Sequence, residues 1–188
     1  LMIENGYYDV MDMLRQRQIE IVPLKGVHFI MTSNDSTSCR PMCDMDILIH
    51  PDSYDTCEEI LLNYGFEHCF REDEHEYWYE RQMHLALYKK APHGKRLFAV
   101  EIHWALDYPR SYAILPLLWQ RTRHREHAGH DILVMSHEDT LFSLALHQRH
   151  FGSLLQLKYV IDVGHLFHHY GNELDLGYII TEAHRSKL

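Results

Sequence analysis

Cysteine is scarce in this sequence. The four residues, Cys39, Cys43, Cys57 and Cys69, make no close C-x-x-C pair and are too thinly spread for a disulfide scaffold, so reduced, partly buried thiols are expected. Positive charge is also short: 18 Lys and Arg stand against 27 Asp and Glu, a formal charge of −9. Phosphate backbones are held by clustered cations, so no nucleic-acid partner bound over a broad basic surface is expected. No apolar run approaches the length needed to cross a bilayer, and the N-terminus lacks the basic-then-apolar order of a signal segment. These absences point to a cytoplasmic protein with no membrane partner. Internal repeats and low-complexity linkers are missing too. A start at Leu1 rather than Met suggests a piece of a longer chain.

What is present is enough apolar material for a core. At 188 residues and 46% hydrophobic, the chain is expected to form one domain or a domain with an appendage. Seventeen histidines invite a metal reading. His124, His127, His130 and His137 fall around an expected hairpin, and His165, His168 and His169 on an expected helix. None matches a zinc signature such as H-E-x-x-H, so scattered surface and half-buried imidazoles account for most of them.

The stretch that calls for explanation is Arg40 to Ile49, Arg-Pro-Met-Cys-Asp-Met-Asp-Ile-Leu-Ile. If Met45 to Ile49 is a buried strand, its period of two places Asp44 and Asp46 on one face at one edge, close enough to share a hard cation. Like charges that close are stable only with something positive between them. Asp-x-Asp alone is a common pattern, and on that motif by itself a solvated turn before a strand is the better account.

Along the chain, a helix is expected over Tyr7 to Arg17, a short strand over Ile19 to Leu24, and a helix over Val27 to Thr32. Lys25-Gly26 then falls at a strand-to-helix turn. Glycine lets the backbone approach an anion there, and the helix N-terminus presents free N–H groups. Pro51 to Ser53 starts a helix running through Asn63, and strands are expected near Phe66 to Phe70, Met83 to Tyr88 and Arg96 to Leu106. Arg71 to Glu76 reads as a charged connection. In the Arg96 to Leu106 strand Glu101 and His103 share one face and Val100, Ile102 and Trp104 the other. A carboxylate between Val100 and Ile102 is costly to bury unpaired, so Glu101 demands a partner, either a basic side chain or a metal. A hairpin strand beside the Asp44/Asp46 strand would bring three carboxylates together. Beyond Pro109 the pattern becomes helical: Ser111 to Arg123, a two-stranded turn at Gly129 within Arg125 to Ser136, then helices from His137. Ser136 is the expected N-cap, and Leu141, Leu144, Ala145, Leu154, Leu157, Val160 and Ile161 are expected to form core stripes.

The order Leu24-Lys25-Gly26, Arg40-Pro41-Met42-x-Asp44-x-Asp46-Ile47-Leu48-Ile49, Glu101-x-His103-Trp104, and helical His147-x-x-His150 with Asp162 resembles the uncharacterised nucleotidyltransferase family of the polymerase-β-like nucleotidyltransferase superfamily. The resemblance runs from about Ile19 to Phe167. It implies an α+β fold, a small mixed β-sheet flanked by helices, with a catalytic core over 1–110 and a mainly helical region over 111–188 completing the cleft. It also implies Mg²⁺-dependent transfer of a nucleoside monophosphate from a nucleoside triphosphate, ATP among them, to a hydroxyl of a small molecule or protein. Asp44, Asp46 and Glu101 match the catalytic, metal-binding positions, for two Mg²⁺ ions that Mn²⁺ would replace. Lys25, Gly26 and Arg40 match nucleotide-binding positions, although the superfamily usually carries Gly-Gly or Gly-Ser where this chain has Lys25-Gly26. His84, His103, His147 and Lys158 are further candidates for substrate contact, and His150 and Asp162 lie on the same helical stretch. Three other readings stand beside this one: a catalytically silent binding module on the same fold, an antitoxin-type protein AMP transferase, and a phosphohydrolase built on His147, His150 and Asp162. The last leaves the strand acids unexplained.

Overall fold

The computed structural model describes residues 2–32, 42, 44–71, 74–91, 94–107, 114–149, 152 and 154–185. The chain divides into two compact units: Leu1–Arg110 with His124–Val134, and Ser111–Arg123 with Met135–Leu188.

The first unit is built on a mixed sheet. Its helix α1 (Met2–Arg15) buries Tyr7, Val10, Met11 and Leu14, positions three and four apart that make one apolar stripe. It begins before the expected Tyr7 and stops at Arg15, and Gln18 beyond it adopts φ 59°. Strand β1 is only Val22–Pro23, shorter than the expected Ile19 to Leu24. Pro23 has no N–H to donate, which confines this strand to the sheet edge. Helix α2 (Lys25–Thr32) follows, then β2 (Asp44–Leu48), α3 (Tyr54–Asn63) and β3 (Phe66–His68). Helix α4 (His75–Arg81) is not expected from the sequence, which marks only Arg71 to Glu76 as a charged connection, and His-Glu-Tyr-Trp-Tyr-Glu-Arg has no buried stripe to announce a helix. Strands β4 (His84–Lys90) and β5 (Arg96–His103) complete the sheet, whose order is β1-β2-β5-β4-β3. The β2–β5 pair is parallel and the others are antiparallel.

Alternation along these strands sorts the side chains cleanly. Met45, Ile47, Leu85, Leu87, Val100 and Ile102 join Val10 and Leu14 of α1 and Cys57 and Leu61 of α3 in the core. Trp104 closes one end, fully buried against Tyr54 at 4.7 Å and Tyr79 at 4.8 Å between ring centres. The opposite face carries Asp46, Glu101, His103 and His84. Strands β6 (Arg123–His127) and β7 (His130–Val134) form the expected hairpin, turning through Ala128 (φ 51°) and Gly129 (φ 82°), both in the left-handed region that such two-residue turns require.

In the second unit, α5 (Leu115–Arg121), α6 (His137–Arg149), α7 (Leu157–Tyr170) and α8 (Leu176–Arg185) are the described elements. Ser136 caps α6 as expected, its Oγ accepting the Asp139 N–H at 3.1 Å and donating to Asp139 Oδ2 at 2.7 Å. The expected core stripes are corrected. Leu144 is buried and Leu141 is half-buried, but Ala145 is exposed, and so are Leu154, Leu157 (72% accessible), Val160 and Ile161. Helical spacing shows that a face is apolar and not what covers it; among the described residues this one stays open.

Candidate active site

Strand register builds the site. Asp46 of β2 is the direct partner of Glu101 on β5, and Leu48 is the partner of His103, so the two acids stand side by side on one face. On the other flank His84 of β4 pairs with His103 and Ala86 with Glu101. The small Ala86 side chain leaves the space beside Glu101 to His84. Asp44, one step of two back along β2, completes the convergence: one oxygen from each of Asp44, Asp46 and Glu101 lies within 4.8 Å of the others.

Lys25 supplies the positive charge that the sequence required. It starts α2 with φ 47°, a left-handed conformation that costs a residue with a Cβ about 1 kcal/mol. Its ammonium is hydrogen-bonded to Asp46 Oδ1 and lies 3.6 Å from Glu101 Oε2. Buried Gly26 follows in the first turn of the helix rather than before it. His103, only 2% exposed, donates from Nε2 to Asp46 Oδ1 at 3.0 Å.

The acids differ in their electrostatics. Burial first, then the charges of Asp46 and Glu101, push the Asp44 carboxyl above its usual range, which is the mark of negative charge left incompletely balanced. Burial alone would raise Glu101 as well. The imidazoles of His103 and His84 and the Lys25 ammonium outweigh it and hold the Glu101 carboxyl low. His84 is pushed down to about 3, chiefly by burial and then by His103, so its ring is neutral near pH 7. Three carboxylates thus face one ammonium, a donor set of hard oxygens with charge to spare for a cation.

His147 and Lys158 belong to the second unit: His147 is half-buried with its ring 5.3 Å from that of Tyr159, and exposed Lys158 lies 5.0 Å over the same ring. Asp162 is buried on α7. Arg40 and His150 lie outside the described residues. The sequence reading missed a second polar group in the first unit, where Glu58 accepts from Tyr54 and engages His75 Nε2 at 2.8 Å. The i, i+4 spacing of Tyr54 and Glu58 on one helix was the available signal.

The sequence model of the family described as uncharacterised nucleotidyltransferase matches residues 2–188. The chain belongs to that family. Among solved structures, the antibiotic-resistance factor ANT(2'')-Ia superposes on this nucleotidyltransferase with a TM-score of 0.62 at 13% identity, covering 96% of this chain and 90% of its own. The lincosamide antibiotic adenylyltransferase LnuA, solved with lincomycin bound, gives 0.57 at 14% identity over 87% and 95% of the two chains. An antigenic nucleotidyltransferase-like protein from Paracoccidioides brasiliensis gives 0.55 at 17% identity, over 88% of this chain and 73% of its own. At these identities the likeness is one of fold. No curated protein matches the chain by sequence.

Proposed function

We propose that this nucleotidyltransferase moves a nucleoside monophosphate from a nucleoside triphosphate to a hydroxyl of a small molecule or protein, with Asp44, Asp46 and Glu101 as its catalytic acids. The observation that supports this reading is the convergence of the three carboxylates on one sheet face, with Asp44 raised by burial and then by its neighbours' charge. Their all-oxygen donor set fits Mg²⁺, with Mn²⁺ as the substitute. A pair of such ions, when bound, polarises the α-phosphate and stabilises charge on the attacking and leaving oxygens. The chain's own residues hold and orient. Asp46 is fixed between Lys25 and His103, so its free oxygen points in a defined direction. Glu101, held ionised, is fitted to hold a cation and to orient an acceptor hydroxyl. Lys25 and Gly26, opening α2, would meet the triphosphate as a point charge and a close backbone approach, with Arg40 as a second cation. His103 and His84 would contact substrate from the same face.

In this reading residues 1–110 form the catalytic core, and the helical region 111–188, with His147 and Lys158, supplies acceptor contacts. An acidic chain without a basic surface fits a small-molecule or protein acceptor better than a nucleic acid, and a cytoplasmic setting suits triphosphate chemistry. Among the described residues no helix is long and apolar enough to cross a membrane. A second reading, a silent binding module, draws support from one observation: Lys25 already partners Asp46 and leans on Glu101.

Calorimetry of the four common nucleoside triphosphates, with Mg²⁺ and with chelator, tests the choice on the native chain and on Asp44→Asn/Asp46→Asn. Binding that needs Mg²⁺ and is lost in the double variant, together with pyrophosphate release on offering an acceptor, is expected. No binding by the native chain at concentrations well above ordinary substrate levels refutes the nucleotide reading. Binding with no pyrophosphate released for any acceptor class leaves the silent module.

A further inference from the structure

Beside the three acids lies a second donor set of different chemistry. His84 and His103 are directly paired across β4 and β5, their rings stacked with centres 4.5 Å apart and planes 28° from parallel. Both present Nε2 to the same oxygen, Oε2 of Glu101, each at 3.6 Å. That separation is too long for an N–H···O hydrogen bond, whose usual range ends near about 3.2 Å. It is close to the roughly 3.4 Å between neighbouring donors when a tetrahedral ion holds each at about 2.0–2.1 Å. His84 Nδ1 is buried with no hydrogen-bond partner among the described residues, so no contact there fixes which ring nitrogen carries the proton. One donor atom from each of the three side chains lies within 4.8 Å of the others, a spacing that suits ligands around one ion.

We propose that His84, His103 and Glu101 form a second divalent-cation site, distinct from the all-carboxylate group, and that it takes a first-row ion of the Zn²⁺ class in preference to Mg²⁺. Imidazole nitrogen suits such borderline ions, whereas Mg²⁺ favours oxygen. Two imidazoles and one carboxylate make three protein ligands and leave a fourth position for water or substrate. His103 has to change most on loading. Its Nε2 N–H, which donates to Asp46, gives up that proton, the other ring nitrogen carries it, and Nε2 becomes the ligand. Lys25 keeps its bond to Asp46 and releases its looser 3.6 Å contact with Glu101. Glu101 would then be shared by the two donor sets.

The site does not depend on nucleotidyl transfer, so it is tested on the full chain without substrate. After stripping with chelator, the protein is titrated with Zn²⁺ and with Mg²⁺ by calorimetry, and the Zn²⁺-loaded form is examined by X-ray absorption, in which imidazole ligands give a multiple-scattering signature. One Zn²⁺ with two imidazoles is expected. The affinity should fall at least tenfold in His84→Gln and in His103→Gln, with circular dichroism confirming that each variant folds. Asp44→Asn, outside the donor set, should still hold Zn²⁺ through two imidazoles. Absence of imidazole scattering in the native chain overturns the proposal without recourse to any variant. Equal Zn²⁺ affinity in the native chain and both His variants overturns it too, because an ion would then sit elsewhere among the 17 histidines. Failure of nucleotide binding with the imidazole site intact would count against the functional reading alone.

Discussion

Lys25 is the residue on which the first unit's polar face depends. Its side chain is 13% exposed and that of Asp46 7%, so the pair is largely withdrawn from water, and removing one partner strands the other. Lys25→Met is expected to cost about 2–4 kcal/mol in urea unfolding at neutral pH, a little below the range for fully buried pairs. The same change in an Asp46→Asn background should cost clearly less, and equal costs in both backgrounds would show that the pair contributes no coupling. Cys57 offers a separate check on burial. It is fully buried on α3 and burial pushes its thiol up to about 12, whereas Cys69 is exposed. Iodoacetamide at pH 8, followed by peptide mass spectrometry, should label Cys69 many times faster than Cys57 in the folded protein. The pairing of Lys25 with Asp46 was not readable from the chain, which offered Lys25 as a phosphate contact and only demanded some positive charge near the acids.

At the level of elements, turns and caps carry testable strain. Ala128 opens the β6–β7 turn at φ 51°, where asparagine is tolerated better than alanine. Ala128→Asn should raise stability by roughly 0.5–1 kcal/mol, seen as a higher urea midpoint with an unchanged slope. In the second unit Arg121 ties α5 to α6, donating from Nε to the buried Asp139 at 3.0 Å and from Nη2 to Glu138 at 2.8 Å while lying over the Tyr178 ring of α8. Burial would raise Glu138, but the Asp175 backbone N–H and the Arg121 charge, among other contacts, hold it below its usual 4.5. A carboxyl depressed on folding adds stability above its ordinary value, and that contribution fades as pH falls through the lower folded value. Unfolding curves taken from pH 7 down to pH 3 should therefore show a smaller acid loss in Glu138→Gln than in the native chain. An identical loss would place the acid sensitivity elsewhere.

For the whole molecule, charge and exposed apolar surface set what it meets. A chain of net charge −9 is expected to show no binding tighter than about 10 μM to a single-stranded oligonucleotide at physiological salt, read by fluorescence anisotropy. Tight, salt-sensitive binding would reopen nucleic acid as an acceptor. Leu157 and Ile161 on α7 are 72% and 61% exposed, so Leu157→Lys/Ile161→Lys should leave the urea midpoint almost unchanged, within about 0.5 kcal/mol for each site. A larger loss would mean that this face is covered in solution.

Alternation in Asp-Met-Asp-Ile-Leu-Ile and in Val-Glu-Ile-His-Trp fixed, from sequence alone, which side chains enter the core and which acids share a face. That follows because a strand's period of two is a local property of the backbone. The helices of the second unit and the Ala128–Gly129 turn were legible for the same reason. Long-range pairing was not. The parallel register of Asp46 with Glu101, the meeting of His84 with His103 and the reach of Lys25 and His103 to Asp46 depend on contacts between residues 19 to 57 positions apart. Only the assembled sheet decides them. The same limit explains the misjudged stripe at Leu154 to Ile161, because an apolar helix face is written in the sequence and its cover is not.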